Sequence, residues 1–470
     1  MMGKVTLVGA GPGDPGLLTL RGLEAMREAD VVVFDRLVSG EILQLIPNSV
    51  RRVNVGKESG NHPVPQGEIN RILLDEALAG NNVVRLKGGD PFLFGRGGEE
   101  LELLARSGVA FEVVPGITSA LAAPAYAGIP VTHRDYCNGV HVVTAHAGEG
   151  KAPQLDFATL ARLGGTLVFL MGSTAIARLA AGLIDAGMSA ETPAAVVEHG
   201  TRPNQRKTLA ALSDFAKGGT FESPAILVVG AVCELSRDFD WFSALPLKGR
   251  RVAVTRSAEL LGRLSAMLRR LGAEVVAIPC IETEYLTPEL PDFAEYEWLA
   301  FTSPTGVRAF AKLLESSGRD VRAIAALRLA AVGAATAREL YDSLRVRADY
   351  VPERFNSDSL ADGLAALGAS RILHVGAESG SPHFSTLPVY RTITLSVDAE
   401  LGTLDCVCFT GASTVRGFAD SYGDVTTLRA ACIGASTAAE AELRGFRNIA
   451  IAADATLESL CDAVTTLLKE

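Results

Sequence analysis

Residues 7–20, LVGAGPGDPGLLTL, set Gly11, Gly13 and Gly16 in a G-x-G-x-x-G spacing after an apolar run, and Asp35 closes a second apolar run where a ribose-binding acid would stand. A phosphate-cradling loop aims consecutive backbone N–H groups at the anion, and Pro12 and Pro15 have none to offer. The loop therefore reads as a poor pyrophosphate cradle, and as a tight strand-to-helix turn that needs glycine geometry. An NAD-dependent oxidoreductase would rest on this loop plus Asp35 and leaves the later loops unexplained. RLKGGDPFLFGRGGEE (85–100) runs a strand into a Gly-Gly-Asp-Pro turn, with close backbone approach and one carboxylate suited to a polar, partly cationic ligand such as an amino-acid portion. PGITSA presents Thr118 and Ser119 at a helix start, while LMGS (170–173) and EHGTRPNQR (198–206) add two more loops at strand ends.

The second half of the chain has no comparable acid/base cluster and no phosphate loop. It carries short hydroxyl-rich turns instead: VTRS, FTSPTG, VGAATA, FTGAST and IGASTA. Any one of these is most simply a helix N-cap. Together, at strand ends in paired lobes, they would line a cleft and offer N–H and hydroxyl donors to an anion.

The elements that must position these residues are strand-like runs alternating with helix-like stretches from end to end, which predicts an α/β protein with mainly parallel sheets. At 470 residues the length suggests three or four domains. A proline- and aromatic-bearing stretch places the major boundary near 244–248. Beyond it, WLAFTSPTGVRAF (298–310) echoes DCVCFTGASTVRGF (405–418), and LAAVGAATARELYDSL (329–344) echoes AACIGASTAAEAELRG (430–445), which predicts two related lobes. A net charge of −10 argues against a nucleic-acid partner, so acidic ligands would need local basic pockets. Seven scattered cysteines without a C-x-x-C pair, and histidines without ligand spacing, predict reduced thiols and no metal. No apolar run is long enough for a membrane helix and the first residues lack a signal-peptide layout, so the cytoplasm is the expected location.

GAGPGDPGLLTLRG, VFDRLV, RLKGGDPFLFGRGGEE, PGITSA and GIPVTHRD, in that order over residues 3–243, resemble the tetrapyrrole methylase family, and within it the uroporphyrinogen-III C-methyltransferases. The resemblance implies a two-lobed α/β fold over residues 1–245, usually homodimeric, with S-adenosylmethionine in the cleft and S-adenosylhomocysteine released. It implies donor contacts at Pro12, Gly88, Gly89, Asp90, Leu93, Thr118, Ser119, Met171 and Gly200, with Asp35 as proton acceptor and Lys57 as proton donor. On this reading a pyrrole carbon becomes cationic as it takes the methyl group, and a nearby carboxylate stabilises that charge and assists loss of the ring proton. Arg36, Lys87, Arg96 and Arg134 would hold carboxylates of the tetrapyrrole. Other precorrins, diphthine and ribosomal RNA are the alternative acceptors within the family.

Residues 246–470 resemble uroporphyrinogen-III synthase through VTR, FTSPTGV, VGAATA, VPERFNSDSL, VY and IGASTA. The resemblance implies a two-lobed fold, with one lobe of about 248–281 plus 393–470 and the other of about 282–392, that closes hydroxymethylbilane with one ring inverted. Thr336, Tyr390 and Thr437 match cleft positions, with Thr302, Ser303, Thr410 and Ser413 behind them. Residues 374–392 are shorter than the family's usual turn, basic residue, helix and strand, and Gly411 replaces a usual serine. Those departures leave three outcomes open for this half: active, impaired through weakened substrate binding, or retained as a scaffold. The product of the second half would be the substrate of the first, giving a bifunctional route from hydroxymethylbilane to precorrin-2, toward sirohaem and cobalamin.

Overall fold

Short runs of branched apolar residues become the strands of the computed structural model, which describes residues 2–56, 64–145, 155–255, 261–395 and 403–469. Lys57, and Arg256 and Ser257 of the VTRS turn, lie outside the described residues. The chain divides into two compact units, Met1–Arg251 with Leu268–Val275, and Val252–Met267 with Val276–Glu470.

In the first unit, β1 (Lys4–Gly9), β2 (Val31–Phe34), β3 (Arg51–Asn54), β4 (Val83–Lys87) and β5 (Ala110–Val114) form a sheet ordered β3-β2-β4-β1-β5. All its neighbours are parallel. In a dinucleotide-binding sheet the first strand lies between the second and the fourth; here the fourth lies between the second and the first. β4 is buried along its whole length although it contains Arg85 and Lys87. Two residues apart, they share one face of the strand. The helix Gly97–Arg106 buries Gly97, Glu100 and Leu104 on one stripe, so a carboxylate occupies a position that is normally apolar.

β6 (Val140–Thr144), β7 (Thr166–Leu170), β8 (Pro193–Glu198), β9 (Arg206–Ala211) and β10 (Ala225–Val229) form the unit's second sheet, ordered β6-β7-β10-β8-β9. The expectation of mainly parallel pairing fails here: β10 is antiparallel to β7 and β8, and β8 is antiparallel to β9. The connection of residues 199–205 between β8 and β9 is too short for a crossover helix, which leaves an antiparallel return. Apolar periodicity reports burial, not strand direction.

Two further sheets follow. β11 (Arg251–Val254), β12 (Glu274–Ala277), β18 (Cys406–Phe409), β19 (Arg429–Cys432) and β20 (Asn448–Ile451) are ordered β12-β11-β18-β19-β20. β13 (Ile281–Tyr285), β14 (Trp298–Phe301), β15 (Arg328–Ala331), β16 (Ile372–Ala377) and β17 (Ser385–Thr394) are ordered β13-β17-β16-β14-β15. The two echoed sequence units become matching pieces: β14 and β15 are parallel neighbours, as are β18 and β19, and each strand is followed by a helix. Phe301, Phe310, Phe409 and Phe418 are fully buried in these cores, each contributing roughly 1.5–3 kcal/mol. β16 and β17 are parallel neighbours joined by residues 378–384 without a helix.

Candidate active site

Loop ends of both sheets of the first unit converge on a cavity of about 490 Å³, a size suited to a small organic ligand. Pro12, Gly88, Gly89, Asp90 and Leu93 line it from the first sheet's loops. Thr118, Ser119, Met171 and Gly200 line it from the segments that follow. Asp35, Arg36, Lys87 and Arg96 also reach it, whereas Arg134 is exposed and stands outside the lining.

Backbone proximity explains the glycine-rich motifs. Gly11 and Gly89 exchange N–H···O bonds of 3.1 and 2.8 Å, so the GPGDPG loop is zipped to the GGDP turn. Asp14 N donates to Thr201 Oγ1 and Gly16 N to Asp14 Oδ1. With Pro12 and Pro15 lacking a donor, this loop has few N–H groups left for a phosphate, which removes the physical basis of the NAD reading. A Cβ on Gly116 would stand 2.2 Å from Gly89 O and 2.6 Å from Gly9 Cα, so three backbones meet where no side chain fits. Asp90 braces the junction: Oδ1 accepts from Phe92 N and Leu93 N, and Oδ2 from Gly116 N. Thr118 Oγ1 caps the helix Ser119–Tyr126 by accepting from Ala120 N. Phe94, Arg96, Met171, His199 and Thr201 adopt left-handed φ of 50–71°, the kind of backbone strain that concentrates at functional loops.

A chain of ion pairs runs beneath the cavity. Asp35 Oδ1 accepts from Leu37 N, and Oδ2 lies 3.2 Å from Arg85 Nη2, not on the adjacent Arg36. Arg85 Nε reaches Glu100 Oε1 at 3.2 Å, and Lys87 Nζ reaches the same oxygen at 2.7 Å. Gln66 Nε2 adds a third bond to that oxygen, while Glu100 Oε2 is buried without a partner. Burial, then the neighbouring Arg85, pulls the Lys87 ammonium below its ordinary value, and Glu100 opposes this. Lys87 is thus already paired inside the wall, and Arg96 pairs with Glu99 at 2.6 Å. Sequence reading missed Glu100, whose only signal was an acid on the apolar stripe of a helix, and Arg202, which also lines the cavity.

In the second unit the predicted positions lie at strand ends and helix starts, except Tyr390, which is in the middle of β17. Ser303 caps the helix Pro304–Ser316 and its Oγ is 3.1 Å from Tyr390 Oη. Thr302 Oγ1 is 2.7 Å from His374 Nε2, whose Nδ1 lies 3.0 Å from Thr386 Oγ1. Burial lowers His374 to about 4. Thr336 and Thr437 are buried near the starts of the helices Ala334–Leu344 and Ala435–Leu443. Gly333, Gly434 and Gly411, the last before the helix Ala412–Tyr422 that contains Ser413, provide no side-chain cap. Thr410 precedes Gly411 and is partly buried. Of these four helix starts, only Ser303 realises the simple N-cap expectation.

The two halves are those of an α/β methyltransferase joined to an α/β synthase. Residues 4–216 match the model of the tetrapyrrole (corrin/porphyrin) methylases, and residues 262–462 that of uroporphyrinogen-III synthase HemD. The porphyrin biosynthesis protein HemD of Ruminiclostridium josui is 44% identical over 98% of this chain and 97% of its own. Siroheme synthase 3 of Aeromonas hydrophila is 55% identical over 51% of each chain. Among solved structures, the uroporphyrin III C-methyl transferase of Thermus thermophilus is 44% identical, with 50% of this chain and 100% of that one covered at a TM-score of 0.45. A form of it complexed with S-adenyl homocysteine is 43% identical over the same shares, also at a TM-score of 0.45. The chain belongs to the family of porphyrin biosynthesis proteins in which a tetrapyrrole methylase is fused to a uroporphyrinogen-III synthase. It is a bifunctional enzyme of tetrapyrrole biosynthesis.

Proposed function

We propose that residues 246–470 cyclise hydroxymethylbilane to uroporphyrinogen III and that residues 1–245 methylate it at C-2 and C-7, giving precorrin-2 for sirohaem and cobalamin. The observation that carries this reading is convergence: nine residues, from Pro12 to Gly200, that match the family's donor contacts line one cavity with Asp35 on its wall. The cavity fits S-adenosylmethionine in size and in its mix of close-approaching backbone and side chains, since a Cβ at Gly88 would lie 2.7 Å from Leu37 Cβ and one at Gly200 2.3 Å from Ala123 Cβ. When bound, S-adenosylmethionine supplies an electrophilic methyl group on a sulfonium.

Asp35 accepts the proton that leaves the methylated ring carbon. Arg85 fixes one of its oxygens and Leu37 N the other, so the carboxylate is held in one orientation before the acceptor arrives. Lys57 is assigned as proton donor on the motif alone. Arg36 and Arg96 at the cavity face acceptor carboxylates, and Lys87 holds the wall. In the synthase half, Thr336, Tyr390 and Thr437 belong to the substrate cleft, where donors without a formal charge grip the linear substrate. We assign the chain to the cytoplasm as a homodimer assembled through its methylase half. Among the described residues no helix is long and apolar enough to cross a membrane, and light scattering tests the dimer.

The deciding experiment is an anaerobic assay of the full chain with hydroxymethylbilane and S-adenosylmethionine, with products resolved by mass and isomer. Dimethylated type III product is expected. Methylation only of added uroporphyrinogen III would leave the second half as a scaffold, and no methylation of either would overturn the reading.

A further inference from the structure

Two cations of the methylase cavity, Arg36 and Arg202, have no ion pair among the described residues, and Arg202 is the partly buried one of the two. Arg85, Lys87 and Arg96 each pair with a carboxylate, but Arg202 has no ion pair among the described residues. Its Nη2 donates to Leu37 O at 2.9 Å, reaching from the β8–β9 loop to the segment after β2. Its Nε is buried without a partner, so one of the guanidinium's five N–H donors is in use. Burial works against the charge, and Glu41 is near enough to favour it.

The placement is built, not incidental. Gly13 adopts φ +151°, and a Cβ there would stand 2.8 Å from Arg202 Cγ, so this glycine of the GPGDPG loop makes room for the arginine stem. A closed circuit of hydrogen bonds fixes the surrounding loop. Asp14 N donates to Thr201 Oγ1, Thr201 N to Gln205 Oε1, Gln205 Nε2 to Tyr126 O, and Tyr126 Oη to Asp14 Oδ2. His199 and Thr201 hold left-handed backbone on either side of Gly200. An oriented guanidinium with spare donors in a cavity is suited to a carboxylate, which it can hold through two N–H groups at once.

We infer that Arg202 anchors one carboxylate of the tetrapyrrole acceptor and thereby sets which ring carbon is presented to Asp35. The inference deepens the proposed methyltransferase reading and rests on it. Carboxylates come from two sources here, the acceptor's side chains and the amino-acid end of the methyl donor. The acceptor is favoured because Arg202 is bonded to Leu37, two residues beyond Asp35, and because Arg36, also without an ion pair among the described residues, lines the same cavity.

The test uses the full chain with Arg202→Met and Arg202→Lys, measuring KM for uroporphyrinogen III and for S-adenosylmethionine, and S-adenosylhomocysteine affinity by calorimetry. Arg202→Met should raise the uroporphyrinogen III KM about tenfold or more while S-adenosylhomocysteine affinity holds, and Arg202→Lys should recover part of the loss. A parallel fall in S-adenosylhomocysteine affinity would assign the arginine to the donor and overturn the inference, as would an unchanged uroporphyrinogen III KM. A wild-type chain that binds S-adenosylhomocysteine yet does not methylate uroporphyrinogen III would instead overturn the parent reading, and this inference with it.

Discussion

Around β4, buried Arg85, Lys87 and Glu100 form a linked chain of charges with the partly exposed Asp35; around β14 and β16, the polar groups that meet are neutral, Thr302 with His374 and Thr386, and Ser303 with Tyr390. The first arrangement holds the Asp35 carboxylate, the proposed proton acceptor, in one orientation, and removing any member unbalances the charge. The second offers groups without formal charge, drawn from strands and a helix start, so the loss of one leaves no unbalanced charge. A chemistry step that moves a proton needs the first kind of site; holding a flexible anion needs only the second.

Breaking the charged chain should give the largest effect. Asp35→Asn should lower the methylation kcat by about a hundred- to ten-thousand-fold with S-adenosylhomocysteine affinity unchanged, measured by steady-state kinetics and calorimetry. Unchanged turnover would remove Asp35 from the mechanism. Glu100→Ala should destabilise the methylase unit by about 3–5 kcal/mol, because Arg85 and Lys87 then share a buried site with too little negative charge. Its unfolding transition should move down in calorimetry of the full chain while that of the second unit stays put.

The neutral cluster should respond to pH instead. His374 is held neutral with a folded value of about 4, below the ordinary 6.5, so between those values the unfolded chain binds a proton that the folded chain refuses. Its contribution is complete above pH 6.5 and is lost as pH falls through 4, a change of about 3 kcal/mol at most. His374→Gln should flatten that part of the second unit's stability profile, and an unaltered slope would refute the assignment. The smallest effect should come from Gly411→Ser. The extended φ of 176° accepts a side chain at Gly411, where a Cβ would come no nearer than an ordinary contact of 4.0 Å with Ser413 Oγ, and the new cap should add a few tenths of a kcal/mol, about one degree in the second unit's melting temperature.

Much of the first unit was legible because its loops are built from glycine, proline and aspartate at positions that backbone geometry dictates, and those residues are readable one by one. Pro12 and Pro15 already argued against a phosphate cradle, and the Gly11–Gly89 exchange of N–H groups supplies the structural reason. Glu100 and Arg202 were hidden for a different reason: their roles depend on what faces them from distant segments, β4 in one case and Leu37 in the other. Strand direction in the second sheet was equally silent, since β10 is as uniformly apolar as a parallel strand would be. In the second unit the duplicated strand-helix pieces were visible as an echo, yet His374 gave no signal, because a lone histidine in an apolar strand has no partner until β14 and β17 close around it.

The left-handed residues at Met171, His199 and Thr201 have a consequence for engineering. A stability-guided redesign would replace the exposed Met171 with glycine or asparagine, and the melting temperature would rise as local strain is relieved, whereas Thr201 would be kept because its Oγ1 accepts from Asp14 N. The same change would let the loops around the cavity sample other shapes, so the most heat-resistant variants of this enzyme should be among its slower methylators.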